Sequence, residues 1–162
     1  MAMAPVVSVD SPEARATPRS KTVVVLDTNH LSALSRDGLH AERLTKRLSA
    51  TREEVTTSVV SVQERIEGWL KEVHATSDPL RQIDAYREFY WLVETYAEWT
   101  VLPLDEDAAA LFHSFRKNGI RIGTMDLKIA CIAITHDALL LTQNTVDFAK
   151  VPGLRFENWL LE

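Results

Sequence analysis

Four carboxylates and one amide stand out as residues able to do chemistry: Asp27, Glu64, Asp126 and Asp147, with Asn144 close to the last. A hard divalent cation such as Mg2+ takes oxygen ligands, usually one or two carboxylates completed by water and phosphate oxygens. Carboxylates that converge without a Lys or Arg among them repel one another, so such a cluster implies a cation. Spacing alone does not bring these residues together. The elements that carry them must.

Each acid also has a structural reading. Asp27 closes the apolar run of "VVVLDTNHLSAL" just before a helical pattern begins, where Asp is a common cap. Asp126 lies two residues into an apolar helix, where the dipole favours an acid. With a helix start at Ser61, "SVQE" is a capping box and Glu64 its glutamate. The stripe Val62, Ile66, Trp69 and Val73 then places Glu64 on the opposite side. Asp147 falls in a stretch with turn chemistry. From the residues alone, both readings stay open.

Other candidates are weaker. His30, His40, His74, His113 and His136 show no metal-ligand spacing and read as surface or core residues. Cys131, within "IACIAI", reads as a small buried apolar residue. The run "RLTKR" (Arg43, Lys46, Arg47), with Arg52 just beyond, is able to touch phosphates, but a solvated helix face is the preferred reading. No glycine-rich phosphate loop and no Gly-x-Ser-x-Gly elbow is present.

The elements that must position the acids alternate. Val23–Leu26 reads as a strand buried on both faces, and Leu31–Leu34 and Leu39–Leu48 as helices broken near Gly38. "VTTSVVSV" is a short β-branched strand leading into a helix. Pro79 opens a long helix to about Glu98, with Leu80, Ile83, Tyr86, Tyr90 and Val93 on one stripe. "WTVLPL" is a third strand. "DEDAAALFHSFRKNG" is a helix stopped at Gly119, "TMDLKIACIAITHD" a buried helix, and "ALLLT" and "LRFENW" two last strands. Alternation of this kind predicts an α/β fold, a mainly parallel sheet of about five strands with helices on both faces. Ligands in such sheets bind at the carboxyl ends of strands. Asp27 and the pair Asn144/Asp147 follow two different strands and are expected at one edge.

The 162 residues are the size of one domain, and residues 1–20, with three prolines and no period, read as a flexible tail before a domain at 21–162. An apolar fraction of 46% and a charged fraction of 25% are those of a soluble protein. The net charge of −5 lacks the basic footprint usual for nucleic-acid binders, so any such contact requires a local patch. A lone cysteine excludes an intramolecular disulfide or a multi-cysteine zinc site and fits a reducing cytoplasm. No apolar run is long enough to span a bilayer.

Three stretches together resemble a PIN-domain ribonuclease of the VapC toxin type: "VVLDTNHLSAL", "SVVSVQERIEGW" with Gly68 four residues after Glu64, and "IGTMDLKIACIAITHDALLLTQNTVDFAKVPGLRFENW". The likeness spans about Val23 to Trp159, and the third stretch is the most specific. It implies a three-layer α/β/α fold. It also implies Mg2+-dependent (or Mn2+-dependent) hydrolysis of RNA phosphodiester bonds, with Asp27, Glu64 and Asp126 as the acidic core and Asp27 and Asp126 as metal ligands. Asp147 or Asn144 would fill a fourth position, Asp147 being slightly preferred as a functional acid. Thr28 and Asn29 would orient Asp27 or water. With a helix start near Ser58, Glu64 would face the site. The resemblance further implies a cognate antitoxin, docked near Leu31, Leu34 and Trp69, and a homodimer. Two other classes compete: a catalytically silent PIN-like binding module, and a phosphohydrolase acting on small esters. The first would have no electrostatic reason to keep like charges together. The second would need an Asp two residues after Asp27, where Asn29 stands.

Overall fold

The computed structural model describes residues 22–35 and 38–161. The expected tail, 1–20, lies outside them. The elements run β1 (Val23–Leu26), α1 (Thr28–Leu34), α2 (Leu39–Ala50), β2 (Glu54–Ser58), α3 (Val59–His74), α4 (Pro79–Glu98), β3 (Val101–Leu102), α5 (Glu106–Lys117), α6 (Thr124–Thr135), β4 (Ala138–Leu141), α7 (Thr145–Phe148) and β5 (Arg155–Glu157). All five strands are parallel, in the order β3-β2-β1-β4-β5.

The sheet is covered on both faces, as the unbroken apolar strands require. Side chains alternate across it. Val25 and its register partner Leu140 pack with Ala108, Leu127, Cys131 and Phe148. Val24, Leu26 and Leu141 pack on the other side with Leu31, Leu44, Trp159 and Leu160. Burying one Leu or Val stabilises by about 1.5–3 kcal/mol. The α/β/α arrangement predicted from the alternation is therefore the observed one.

Four details differ from the sequence reading. Helix α1 begins at Thr28, since Asp27 caps it. Strand β2 ends at Ser58, and the following β-branched pair Val59–Val60 is helical: the Ser58 hydroxyl accepts the Ser61 N–H at 3.0 Å and caps α3. In α4 the stripe of Leu80, Ile83, Tyr86, Tyr90 and Val93 faces solvent, while Leu92 is the buried residue. One turn of helix, α7, follows β4 where the sequence reads as a turn, because Asn144 caps it.

Candidate functional site

Strand β1 lies at the centre of the sheet. From β1 the chain builds outward to β2 and β3, then crosses back to lay β4 on the other side of β1. The carboxyl ends of β1 and β4 therefore flank the point where the strand order reverses, the place where open α/β sheets form a crevice. Register pairs Leu26 with Leu141, so Asp27 and Thr142 leave the sheet side by side.

Asp27 is 5% exposed. Its Oδ1 accepts the backbone N–H groups of Asn29 and His30, each at 3.0 Å. The cap is real, yet it occupies one oxygen. Among the described residues no donor reaches Oδ2. The two readings of Asp27 are compatible, because a carboxylate can cap with one oxygen and offer the other.

Glu64 lies one turn beyond Val60 and Ser61, both buried, and so shares their side of α3. The start at Val59 rather than Ser61 takes Glu64 out of the capping turn. Its Oε2 accepts a hydrogen bond from the Thr28 hydroxyl. Thr28 thus holds Glu64 rather than Asp27. Asn29 touches Asp27 through its backbone alone, and its side chain is exposed.

Asp126 is the third residue of α6, after the cap residue Gly123. Burial pushes its carboxyl above the ordinary carboxylate range, and the charges of Glu64, Asp147 and Asp27 push it further; the Asn144 amide partly opposes this. Those charges put Glu64, Asp147 and Asp27 each within electrostatic reach of Asp126. Gly123 leaves room for the carboxylate: a Cβ there would stand 3.1 Å from Asp126 Oδ2, a tight contact that the side chain would have to relieve by shifting.

Asn144 joins the last two acids. Its Oδ1 accepts the Asp147 N–H at 3.4 Å, and its Nδ2 donates to Asp126 Oδ2 and Asp147 Oδ2, each at 3.2 Å. Asp147 differs from the inner three. Lys150 Nζ stands 2.6 Å from its Oδ1, and that hydrogen bond, with the one from Asn144, lowers its pKa. Of the two sequence candidates, Asn144 is the one bonded to Asp126, and Asp147 carries its own cation.

The donor set is all oxygen, and among the described residues no Lys or Arg pairs with Asp27, Glu64 or Asp126. Nor, among those residues, do three acidic, imidazole or thiol groups close around one point. An all-oxygen set without a paired Lys or Arg is the chemistry that suits a hard cation such as Mg2+, which usually takes one or two carboxylates and completes its shell with water.

Sequence reasoning missed His30. It is wholly buried, with Nδ1 3.3 Å from Asp27 Oδ1. The signal was its position three residues after the acid, which returns a side chain to the cap. The docking residues expected from sequence divide between two hollows. Leu31 and Leu34 line one with Arg65, Leu92, Tyr96 and Trp99, and Trp69 lines another with Thr28, Glu64 and Arg65. Cys131 is buried as expected, its thiol pushed up to about 11 by burial. Among the described residues no helix is long and apolar enough to cross a membrane.

Comparison with known proteins places these features in context. The family model for the PIN domain matches residues 24–154. Ribonuclease VapC1 of Rickettsia felis is 40% identical over 60 residues, covering 35% of this chain and 45% of that protein. Ribonuclease VapC1 of Haemophilus influenzae is 36% identical over 47 residues, covering 29% and 35%. The matched stretches thus span less than half the length of these relatives. A chain of the VapBC-1 structure from nontypeable Haemophilus influenzae superposes with a TM-score of 0.65 at 23% identity, covering 86% of this chain and 100% of that one. A chain of VapBC2 from Rickettsia felis, bound to a DNA fragment from its promoter, gives 0.62 at 20% identity, covering 85% and 99%. At these identities the structural likeness is one of fold.

Proposed function

Since the chain belongs to the PIN domain family, we propose that it is a divalent-metal-dependent endoribonuclease and the toxin of a toxin–antitoxin pair. The observation that carries this reading is the Asp126 carboxyl, raised by burial and by three neighbouring acids at the crevice of a parallel sheet. A like-charged group of this kind has a purpose when a cation joins it.

Asp27, through Oδ2, and Asp126 would hold the ion, Mg2+ or Mn2+. When bound, it supplies Lewis-acid polarisation of the scissile phosphate and lowers the pKa of water. The remaining work belongs to side chains. Asn144 fixes the rotation of Asp126 through Nδ2. Thr28 holds one oxygen of Glu64 and leaves the other to accept a hydrogen bond from the attacking water, which orients it. Asp147, paired with Lys150, closes the outer rim. No covalent protein nucleophile is required, and Cys131 is too deeply buried to serve as one.

The antitoxin would dock over the hollow of Leu31, Leu34, Tyr96 and Trp99 beside the acids, with Arg65 at the border with the Glu64 hollow. Burial there would exclude RNA from the site. The exposed α4 stripe is available for a second copy in a homodimer, and the expected setting is the cytoplasm. A silent module would have no electrostatic reason to keep these like charges together.

The test is cleavage of single-stranded RNA by the purified chain with Mg2+ or Mn2+, with EDTA, and in an Asp27→Asn variant. Cleavage that needs the ion and is lost in the variant supports the assignment. Growth arrest on expression, absent in the variant and relieved by the protein encoded next to it, supports the toxin role. An intact RNA pool with every ion would refute the enzyme reading.

A further inference from the structure

A buried neutral imidazole must satisfy two different nitrogens, one that donates and one that accepts. His30, in the first turn of α1, is 0% exposed, and both of its nitrogens have protein partners. The backbone N–H of Trp159 points at Nε2 from 3.3 Å. A backbone N–H only donates, so Nε2 is the bare nitrogen and the ring proton resides on Nδ1. That proton is aimed at Asp27 Oδ1, 3.3 Å away. Both contacts are at the long end of hydrogen-bond distances. The tautomer is nevertheless dictated by the C-terminal segment.

The consequence falls on Asp27. Its Oδ1 takes three donors, the N–H groups of Asn29 and His30 and the imidazole N–H, while Oδ2 takes none among the described residues. Carboxylate torsions are broad and nearly two-fold, so a carboxylate with fewer donors rotates easily. The segment that sets the tautomer is itself tied down. Arg47 stacks over the Trp159 ring at 4.3 Å and pairs with Glu157 at 3.2 Å, the Trp159 indole N–H donates to Glu157 at 2.6 Å, and His40 Nδ1 lies 3.0 Å from the Leu160 carbonyl.

We propose that His30 is a positioning residue for the metal site. Its Nδ1–H fixes the Asp27 carboxylate so that Oδ2 faces the crevice, and the backbone at Trp159 keeps the imidazole in the tautomer that does so. Divalent-ion affinity at the carboxyl edge therefore depends on the docking of residues 157–160 against α1 and α2. This rests on the metal-site reading given above. Groups that orient a ligating carboxylate typically alter metal affinity by 10–100-fold when removed.

Two conservative variants separate the two bonds. In His30→Asn the side-chain amide nitrogen reaches the place of Nδ1 and can donate to Asp27, but the side chain is too short for Trp159. In His30→Gln the amide reaches the place of Nε2 and can accept from Trp159, but nothing donates to Asp27. His30→Leu removes both bonds. Mn2+ binding to the full chain, followed by electron paramagnetic resonance of the free ion, gives the affinity without catalysis, and a thermal melt in EDTA gives the fold. The expected result is a loss of about 10–100-fold in Mn2+ affinity for His30→Gln and His30→Leu. His30→Asn should stay near the wild type even where its melting temperature falls below that of His30→Gln. Wild-type affinity in His30→Gln, or affinities that simply follow the melting temperatures across the three variants, would overturn the proposal. A wild-type chain that binds no Mn2+ would instead overturn the metal-site reading, and the positioning role with it.

Discussion

Replacing Asp126 by Asn removes a charge and keeps the shape, which separates the candidate site from the fold. In the ion-free protein the charged carboxylate is opposed by burial and by Glu64, Asp147 and Asp27. It is favoured by the Asn144 amide, a bond to a charged group worth about 1.5–3 kcal/mol, and by the α6 dipole, worth about 0.3–1 kcal/mol. An Asn at this position still accepts the Asn144 bond, at about 0.5–1.5 kcal/mol, and drops the repulsion. The raised pKa means that the opposing effects exceed the amide bond. The site is half-buried, and solvent screening keeps the net gain of Asp126→Asn between zero and on the order of 1 kcal/mol. For a domain of this size that is a rise of up to about 4 °C. The pH dependence follows in sign. A carboxyl whose pKa is higher in the folded than in the unfolded state binds more protons when folded, so the wild type loses stability as pH rises from the unfolded value through the folded one. Melts in EDTA should show wild type and variant together below that window and the variant level with or above the wild type beyond it. Adding Mg2+ at a hundred times its dissociation constant should stabilise the wild type by about 2.7 kcal/mol and the variant far less. An Asp126→Asn protein that melts several degrees lower in EDTA, with its Mg2+ response intact, would show that Asp126 serves the helix and not an ion.

Substitutions at two further positions test the geometry around that carboxylate. Asp27→Asn keeps an oxygen for the α1 cap and should cost less than about 1 kcal/mol in a urea melt, whereas Asp27→Ala loses the cap and leaves the buried His30 imidazole without its acceptor, for about 2–4 kcal/mol together. Gly123→Ala places a methyl 3.1 Å from Asp126 Oδ2 in a backbone conformation that Ala adopts freely, so the carboxylate must yield. Cleavage should fall about tenfold or more while the melting temperature changes by only a few degrees, since a small misplacement of a site group is costly to catalysis alone.

The fold was legible because its signals were local. The unbroken apolar strand Val23–Leu26, the all-round apolar helix containing Cys131 and the acids opening α5 each announce an element that the structure contains. The α4 stripe shows the limit of periodicity. Leu80 through Val93 has the right spacing, but Leu92, on another side of the same helix, is the residue that meets the core. An apolar stripe says that a face can be buried and not that this chain buries it. For Glu64, the residues of α3 alone left two helix starts open, and the choice depended on the Ser58 hydroxyl meeting the Ser61 N–H. Asn144 and His30 were harder still. Their contacts with Asp126 and Asp27 depend on which end of the amide, nitrogen or oxygen, and which nitrogen of the ring faces which partner, and for His30 that is decided by Trp159, 129 residues further along the chain.

The strand order has a consequence for how the protein comes into being. Strand β1 is made before the other four strands and sits at the centre, but its neighbour β4 is made only after β2, β3 and helices α1 to α6, and the Asp27 N–H finds its acceptor only in the Leu141 carbonyl. At about 5–20 residues per second, a ribosome needs on the order of ten seconds between the two strands. Throughout that interval β1 has one bare apolar edge and the crevice has a single wall; Asp126 arrives only late in it, with α6, and Asn144 only after β4. A prematurely ended chain would therefore be sticky and inert rather than active. For a protein proposed to cut RNA, this topology delays the assembly of its acids until α6 and β4 have been made.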